Sequence, residues 1–211
     1  MRRRFFALLA VAALAPALAQ AGDGPDVEAT YQALLTAAKA NPDAADWQAL
    51  RFAYAELPSF SMNVADDGRR EIHATRAAHD WQGMLTAANK ILDVDYVDGD
   101  AHLAIALADG ELGKAEDSAR EQKIGVAILK SVMAGQDGQS PEHAFVVISV
   151  AEEYELMAAR ERHVVRQSLQ NANGHSYDVI EATGKDGDTK TFYFQIDRVT
   201  AAEMRLFARG K

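Results

Sequence analysis

Hydrophobic positions between Asp26 and Met133 recur with the period of a helix. Val27, Tyr31, Leu34, Leu35 and Ala38 stand at i, i+4, i+7, i+8 and i+11, one stripe of a first helix. Asn41-Pro42 restarts the chain, with Asn41 as N-cap and Pro42 in the first helical position. Trp47, Leu50, Tyr54 and Leu57 form the next stripe, which Pro58 stops. Asp66-Asp67-Gly68 reads as a polar loop. Helices are expected again near Trp81–Leu92, Ala101–Leu112 and Glu116–Met133, separated by turns rich in Asp and Gly.

After Gly138 the pattern changes to that of strands. Phe145-Val146-Val147-Ile148 is nearly all β-branched or aromatic, a strand by composition. Ser149-x-x-Glu152 has the form of a capping box and opens a short helix through Tyr154, Leu156 and Met157. Val164–Leu169 reads as a second strand, and Asn173-Gly174 as a hairpin turn into Tyr177–Ala182. Lys185-Asp186-Gly187-Asp188 turns the chain into Thr191–Val199, where Phe192, Phe194 and Ile196 alternate with Tyr193, Gln195 and Asp197. Thr200-x-x-Glu203 is expected to cap a last helix whose Met204 and Phe207 cover the sheet. The fold class is therefore α+β: antiparallel helix pairs in the N-terminal half, then a small antiparallel sheet with two helices. The boundaries are residues 1–21 for an N-terminal signal, 22–135 for the helical region and 136–211 for the α+β region.

The helical half has a repeat-like feature. Trp47-x-x-Leu50-x-x-x-Tyr54 matches the opening spacing of a tetratricopeptide repeat, and Asp46-Trp47-Gln48 recurs as Asp80-Trp81-Gln82. Ala88 stands where the second copy needs its tyrosine, and that copy opens the second helix of a pair. Paired helices of tetratricopeptide-like form are expected, without a regular superhelix.

The N-terminus has the order of a secretory signal. Arg2, Arg3 and Arg4 are followed by an apolar run from Phe5 to Leu14, Pro16, and small-residue cleavage candidates ending at Ala19 or Ala21. The run is shorter than the ~20 residues that span a bilayer. A secretory or periplasmic destination is expected, with no integral membrane segment in the mature chain; RRRFF also bears a faint likeness to a twin-arginine signal. Loss of the signal removes three positive charges and no acid, taking the formal charge from −9 to −12. An acidic surface repels phosphate backbones, so nucleic acid is excluded as a partner. The one basic cluster, Arg160, Arg162, His163 and Arg166, follows a helix whose dipole it suits. The chain has no cysteine, so disulfides and thiolate metal sites are ruled out and burial must supply stability.

The candidate chemistry divides among several short runs. In DVDYVDGD, Asp93, Asp95, Asp98 and Asp100 resemble calcium ligands, but placing Gly99 sixth in an EF-hand loop puts Val94 first and Tyr96 third. Asp98 or Asp100 as a helix cap is the simpler reading. The histidines at 73, 79, 102, 143, 163 and 175 contain no zinc-binding helical pair, and no Gly-x-Ser-x-Gly elbow is present. Glu152, Glu153 and Glu155 crowd one helical turn, where the dipole accounts for them better than paired catalysis does. In Phe192-Tyr193-Phe194 the phenylalanines are expected to point inward and the tyrosine outward. Gly135, Gly138 and Ser140 lie between a helix and a strand with no lysine, which suits a joint and not a phosphate-cradling loop.

The succession GQDGQSPEHAFVVISVAEEYEL, RQSLQ, HSYDVIEATG and TFYFQIDRV resembles the bacterial exported-protein family called domain of unknown function 4919. The resemblance implies a glycine-rich turn with Ser140, a strand ending at Ile148-Ser149, a helix carrying Glu153-Tyr154-Glu155, the Gln167-Ser168-Leu169 and Tyr177-Asp178-Val179 segments, and a closing strand through Tyr193, Phe194 and Ile196. It also implies irregular helix pairs upstream. It brings no activity, cofactor or catalytic residue. The sequence thus points to a protein-interaction module for an envelope or periplasmic protein, with no assigned catalytic, cofactor-binding or metal residues. A periplasmic hydrolase with its site at the helix–sheet junction is the alternative.

Overall fold

The computed structural model describes residues 26–209. The expected signal, with Ala19 and Ala21, lies outside the described residues. The helical part comprises α1 (Val27–Ala40), a 3-10 turn at Pro42–Ala44, α2 (Trp47–Glu56), α3 (Asp66–Ala77), α4 (Trp81–Leu92), α5 (Gly99–Glu111) and α6 (Ala115–Met133). A second 3-10 turn, Pro141–His143, leads to β1 (Phe145–Val146), α7 (Val150–Ala159), β2 (His163–Ala172), β3 (His175–Thr183), β4 (Thr189–Gln195) and α8 (Asp197–Arg209).

Aspartates start four of the helices. Asp26, Asp46, Asp80 and Asp98 each accept a hydrogen bond from the backbone N–H three residues on, at 2.8–3.2 Å. The recurring Asp-Trp-Gln is therefore a repeated start signal: each copy opens the second helix of a packed pair, α1 with α2 and α3 with α4. Asn41 caps no α-helix, because Pro42 enters the 3-10 turn and α2 begins five residues later behind Asp46. Asp66-Asp67-Gly68 is not a loop. It forms the first turn of α3, where the aspartates meet the positive end of the dipole. A side chain at Gly68 would lie 2.6 Å from Ile91, so the missing Cβ lets α4 pack close.

The core has three clusters. One gathers Tyr31, Trp47, Leu50 and Tyr54 with Ile148 and Ala202. A second joins Ile72, Met84, Ile91 and Ala108 across α3–α5. The third fills the space between α6, α7 and the sheet with Val132, Phe145, Leu156, Ile180, Phe192 and Phe194.

The sheet order is β1-β4-β3-β2, and it is mixed, not wholly antiparallel. β2, β3 and β4 form two hairpins, the first turning on Asn173 and Gly174 at φ +53° and +81°. β1 runs parallel to β4, pairing Phe145 with Phe194 and Val146 with Gln195. The helix α7 returns the chain so that β1 and β2 share a direction, and two hairpins give β4 that direction again. The expected strand through Ile148 stops at Val146, since Glu152 takes the Ile148 N–H at 2.9 Å.

Two further expectations are corrected. The last helix begins at Asp197, three residues before the supposed cap, and the Thr200 hydroxyl donates to the Asp197 carbonyl. Val199 and Ala202 face inward, while Met204 and Phe207 are 69% and 77% exposed and do not cover the sheet. The basic cluster is held by more than a dipole. Arg160 lies over the Phe145 ring at 4.9 Å, Arg162 pairs with Asp188 at 2.9 Å, and Arg166 with Glu181 at 3.4 Å.

The glycine-rich joint is stitched into the sheet. Ala134, which ends α6, and Gly135 take left-handed φ values of +46° and +78°. The Gly138 N–H donates to His143 O at 2.9 Å, and Gly138 O accepts from Tyr193 N–H at 2.7 Å. The Gly138 amide is thus spent on architecture and not on an anion.

Gly138 has φ +74°, and a Cβ there would lie 2.2 Å from Phe145, whereas one at Gly135 would meet nothing within 4 Å. Gly138→Ala is expected to cost about 2–4 kcal/mol and Gly135→Ala only about 1 kcal/mol. Urea unfolding of the two variants checks the order.

Candidate functional site

The two acidic runs, far apart in sequence, meet at the junction of helices and sheet. Successive residues on α7 point about 100° apart, so Glu153 turns away from Glu152. Glu155, three residues on, returns to the Glu152 side and lines the same small cavity as Glu152. Glu152 is buried and grips Arg51, which has no exposed surface: Oε2 lies 2.5 Å from Nη2 and Oε1 2.6 Å from Nε. Arg51 also donates to the Val146 carbonyl at 3.1 Å. Ser149 does cap α7, accepting from Glu152 N–H at 3.4 Å, but the Glu152 side chain bonds Ile148 N–H and not the cap itself. The helix dipole alone therefore does not account for the glutamates; one of them neutralises a buried guanidinium.

Glu153 turns to the sheet. It has no exposed surface, and Gln167 Nε2 reaches both its Oε2 at 3.4 Å and Asp178 Oδ2 at 2.7 Å. Its other oxygen, Oε1, has no hydrogen-bond partner. Burial, with Asp178 and Glu152 adding to it, pushes the Glu153 carboxyl up to about 9, so it stays protonated at neutral pH.

Glu155 faces the acids of the second run. Asp98 caps α5 and pairs with Arg69, which also bonds Asp66 at 3.4 Å. Asp95 accepts from Val97 N–H at 3.2 Å. A cavity of about 10 Å³, room for a single water, lies among Arg69, Asp95, Asp98, Ser149, Glu152 and Glu155. Asp95 and Glu155, both half-buried, line this space. Burial raises both carboxyls well above the usual range, Asp98 raises them further, and Arg69 opposes. Asp100 is raised by burial and Asp98, against His73, Arg69 and Arg76.

Glu155 and Asp100 also reach a second space, a cleft of about 340 Å³ between α3–α5 on one side and α6–α7 on the other. Its walls are apolar, with Ile72, Met84, Leu103, Leu107 and Leu129, and its rim carries the exposed His73 and Arg76. A larger cleft, about 410 Å³, surrounds His102. There the charges satisfy one another. His102 Nδ1 meets Glu121 Oε2 at 2.7 Å and Nε2 meets Tyr96 O at 3.1 Å, while Lys114 pairs with Asp109 at 3.0 Å and Arg120 with Glu121 at 3.2 Å. Burial raises the Glu121 carboxyl, but the hydrogen bonds from His102 and Arg120 outweigh it and leave it below its usual value.

The remaining sequence candidates are dispersed. Ser140 bonds His143 at 3.2 Å on the surface, and His175 bonds Asp197 at 2.5 Å at the start of α8, so these form two separate pairs. Among the described residues no three Asp, Glu or His side chains converge to hold a metal ion. Phe192 and Phe194 are buried and Tyr193 points outward, as the alternation indicated. Sequence reasoning missed Arg51 and Arg69, and it assigned Glu153 to the helix dipole alone. The only available signal was an arginine at position 51 on the apolar side of α2, between Leu50 and Tyr54.

The profile of the family described as "Domain of unknown function (DUF4919)" matches residues 25–205, and the chain belongs to that family. No curated protein and no solved structure matches it.

Removing one partner of the Arg51–Glu152 pair strands the other charge in the core. Arg51→Ala is expected to cost about 3–5 kcal/mol in urea unfolding, and Arg51→Met with Glu152→Leu less than either single truncation. Glu153 gives a pH signature. Its raised carboxyl takes up a proton on folding, so its cost is absent below the unfolded value and grows as pH rises toward 9. Glu153→Gln is expected to stabilise by about 2–3 kcal/mol at pH 7 and by little at pH 4, read from melting curves at both pH values.

Proposed function

We propose that this member of the DUF4919 family is an exported binding module that captures a protein partner at the cleft between α3–α5 and α6–α7. One observation carries the reading: a 340 Å³ cleft with apolar walls is also lined by two acids, Asp100 and Glu155, whose carboxyls have no hydrogen-bond or ion-pair partner among the described residues. Binding clefts combine apolar walls with a few convergent polar groups and perturbed carboxyls. Export is supported by the Arg2–Arg4 run, the apolar stretch and the small residues at Ala19 and Ala21. Among the described residues no helix is long and apolar enough to cross a membrane.

The second reading, a hydrolase at the helix–sheet junction, draws on Glu153 and Asp178. A protonated carboxyl close to a carboxylate is an arrangement that acid–base chemistry uses. Glu153 has no exposed surface through which a substrate would meet it, however, which favours binding.

Ala158 is an exposed α7 residue on the lip of the cleft, so Ala158→Trp fills the opening without entering the core. Wild-type protein used as bait in envelope extract is expected to retain a partner that the Ala158→Trp variant loses at unchanged thermal stability. Equal capture by both, or turnover in a hydrolase screen without capture, reverses the reading.

A further inference from the structure

We infer that the occupant of the α3–α5/α6–α7 cleft is a lysine side chain of the partner, its aliphatic stem against the leucines and its ammonium between Asp100 and Glu155. The inference rests on the binding reading above and names what the cleft recognises.

The charge balance at the base of the cleft points to a cation. Of the acids in the small cavity that Glu155 also lines, two are already neutralised, Glu152 by Arg51 and Asp98 by Arg69. Asp95 remains there, and Asp100 and Glu155 remain in the cleft. The cations that face them from the other elements are Arg69, already engaged, and the rim residues His73 and Arg76 on α3, which are exposed and screened by water. The acids sit deeper, where charges act more strongly than at the rim. Burial and the field of Asp98 disfavour negative charge on Asp100 and Glu155. An ammonium between them supplies the opposite charge.

The walls narrow the choice of cation. Ile72, Met84, Leu103, Leu107 and Leu129 line the path to the acids, so a strongly hydrated small ion loses its water and gains no contact with them. A lysine places four methylenes along such walls and a compact three-donor head at the end. The formal charge of −12 left by loss of the signal favours a basic partner over an acidic one.

The test uses hexylamine as the probe, with hexanoate and hexan-1-ol as controls. Methyl NMR signals of Leu103, Leu107 and Leu129 are followed in the purified protein. Hexylamine is expected to shift them saturably, and Asp100→Asn with Glu155→Gln to weaken it about tenfold or more. Those substitutions replace raised carboxyls by neutral isosteres, so the fold is retained, as an unchanged or higher urea midpoint verifies. Partner capture is expected to fail when lysines of the extract are acetylated beforehand. Stronger binding of hexanoate, hexylamine shifts indifferent to the double substitution, or capture that survives acetylation overturns the inference. If hexylamine does not bind while Ala158→Trp still abolishes capture, the lysine inference falls and the binding cleft stands. If wild type and Ala158→Trp capture alike, the cleft reading falls as well.

Discussion

Arg51 and Glu152 hold the structure to one arrangement. The pair joins residues 101 positions apart, and its guanidinium also reaches the Val146 carbonyl and, at 3.5 Å, the Ser131 hydroxyl. A single buried side chain therefore touches α2, α6, the end of β1 and the start of α7. Stripping water from two ions is costly, and such a pair adds little net stability over apolar packing. What it adds is exclusivity. Any docking of α7 that leaves Arg51 without its carboxylate buries a naked cation. Once Glu152 is fixed, the pitch of the helix determines the rest: Glu153 must face the sheet and Glu155 must face α5. The acid-ended cleft is thus a geometric consequence of the clamp.

Much of the local structure was legible in the sequence because local interactions create it. Asp80 and Asp98 cap helices through bonds to residues three positions away, and Asn173-Gly174 turns a hairpin because both residues accept positive φ. The first turn of α3 was misread because aspartates and glycine suit loops equally well. Only the approach of Ile91 to Gly68 explains the glycine, and that contact is tertiary. The parallel pairing of β1 was hidden for the same reason: two residues carry no periodicity, and their partner lies about fifty residues on.

The site was less legible than the fold. The Asp93–Asp100 and Glu152–Glu155 runs were each visible, but each has an adequate local explanation as caps or first-turn acids. Their significance comes from proximity, which no local pattern encodes. Arg51 and Arg69, which make the meeting of so many acids tolerable, are ordinary arginines in helical segments until the fold places them. The raised carboxyls follow from that placement: Asp95, Asp100 and Glu155 carry no unusual sequence context, only little water and the field of Asp98.

The stitching of Gly138 to Tyr193 has a consequence at the margin of the sheet. β1 covers only two residues of β4, and the Gly138 carbonyl takes up the next free amide along that side. The opposite margin, β2, is ten residues long, largely solvent-facing, and kinked where the register shifts between Val164 and Arg166. The β2 margin is therefore the longer template for strand addition between molecules, and the kink disturbs that template.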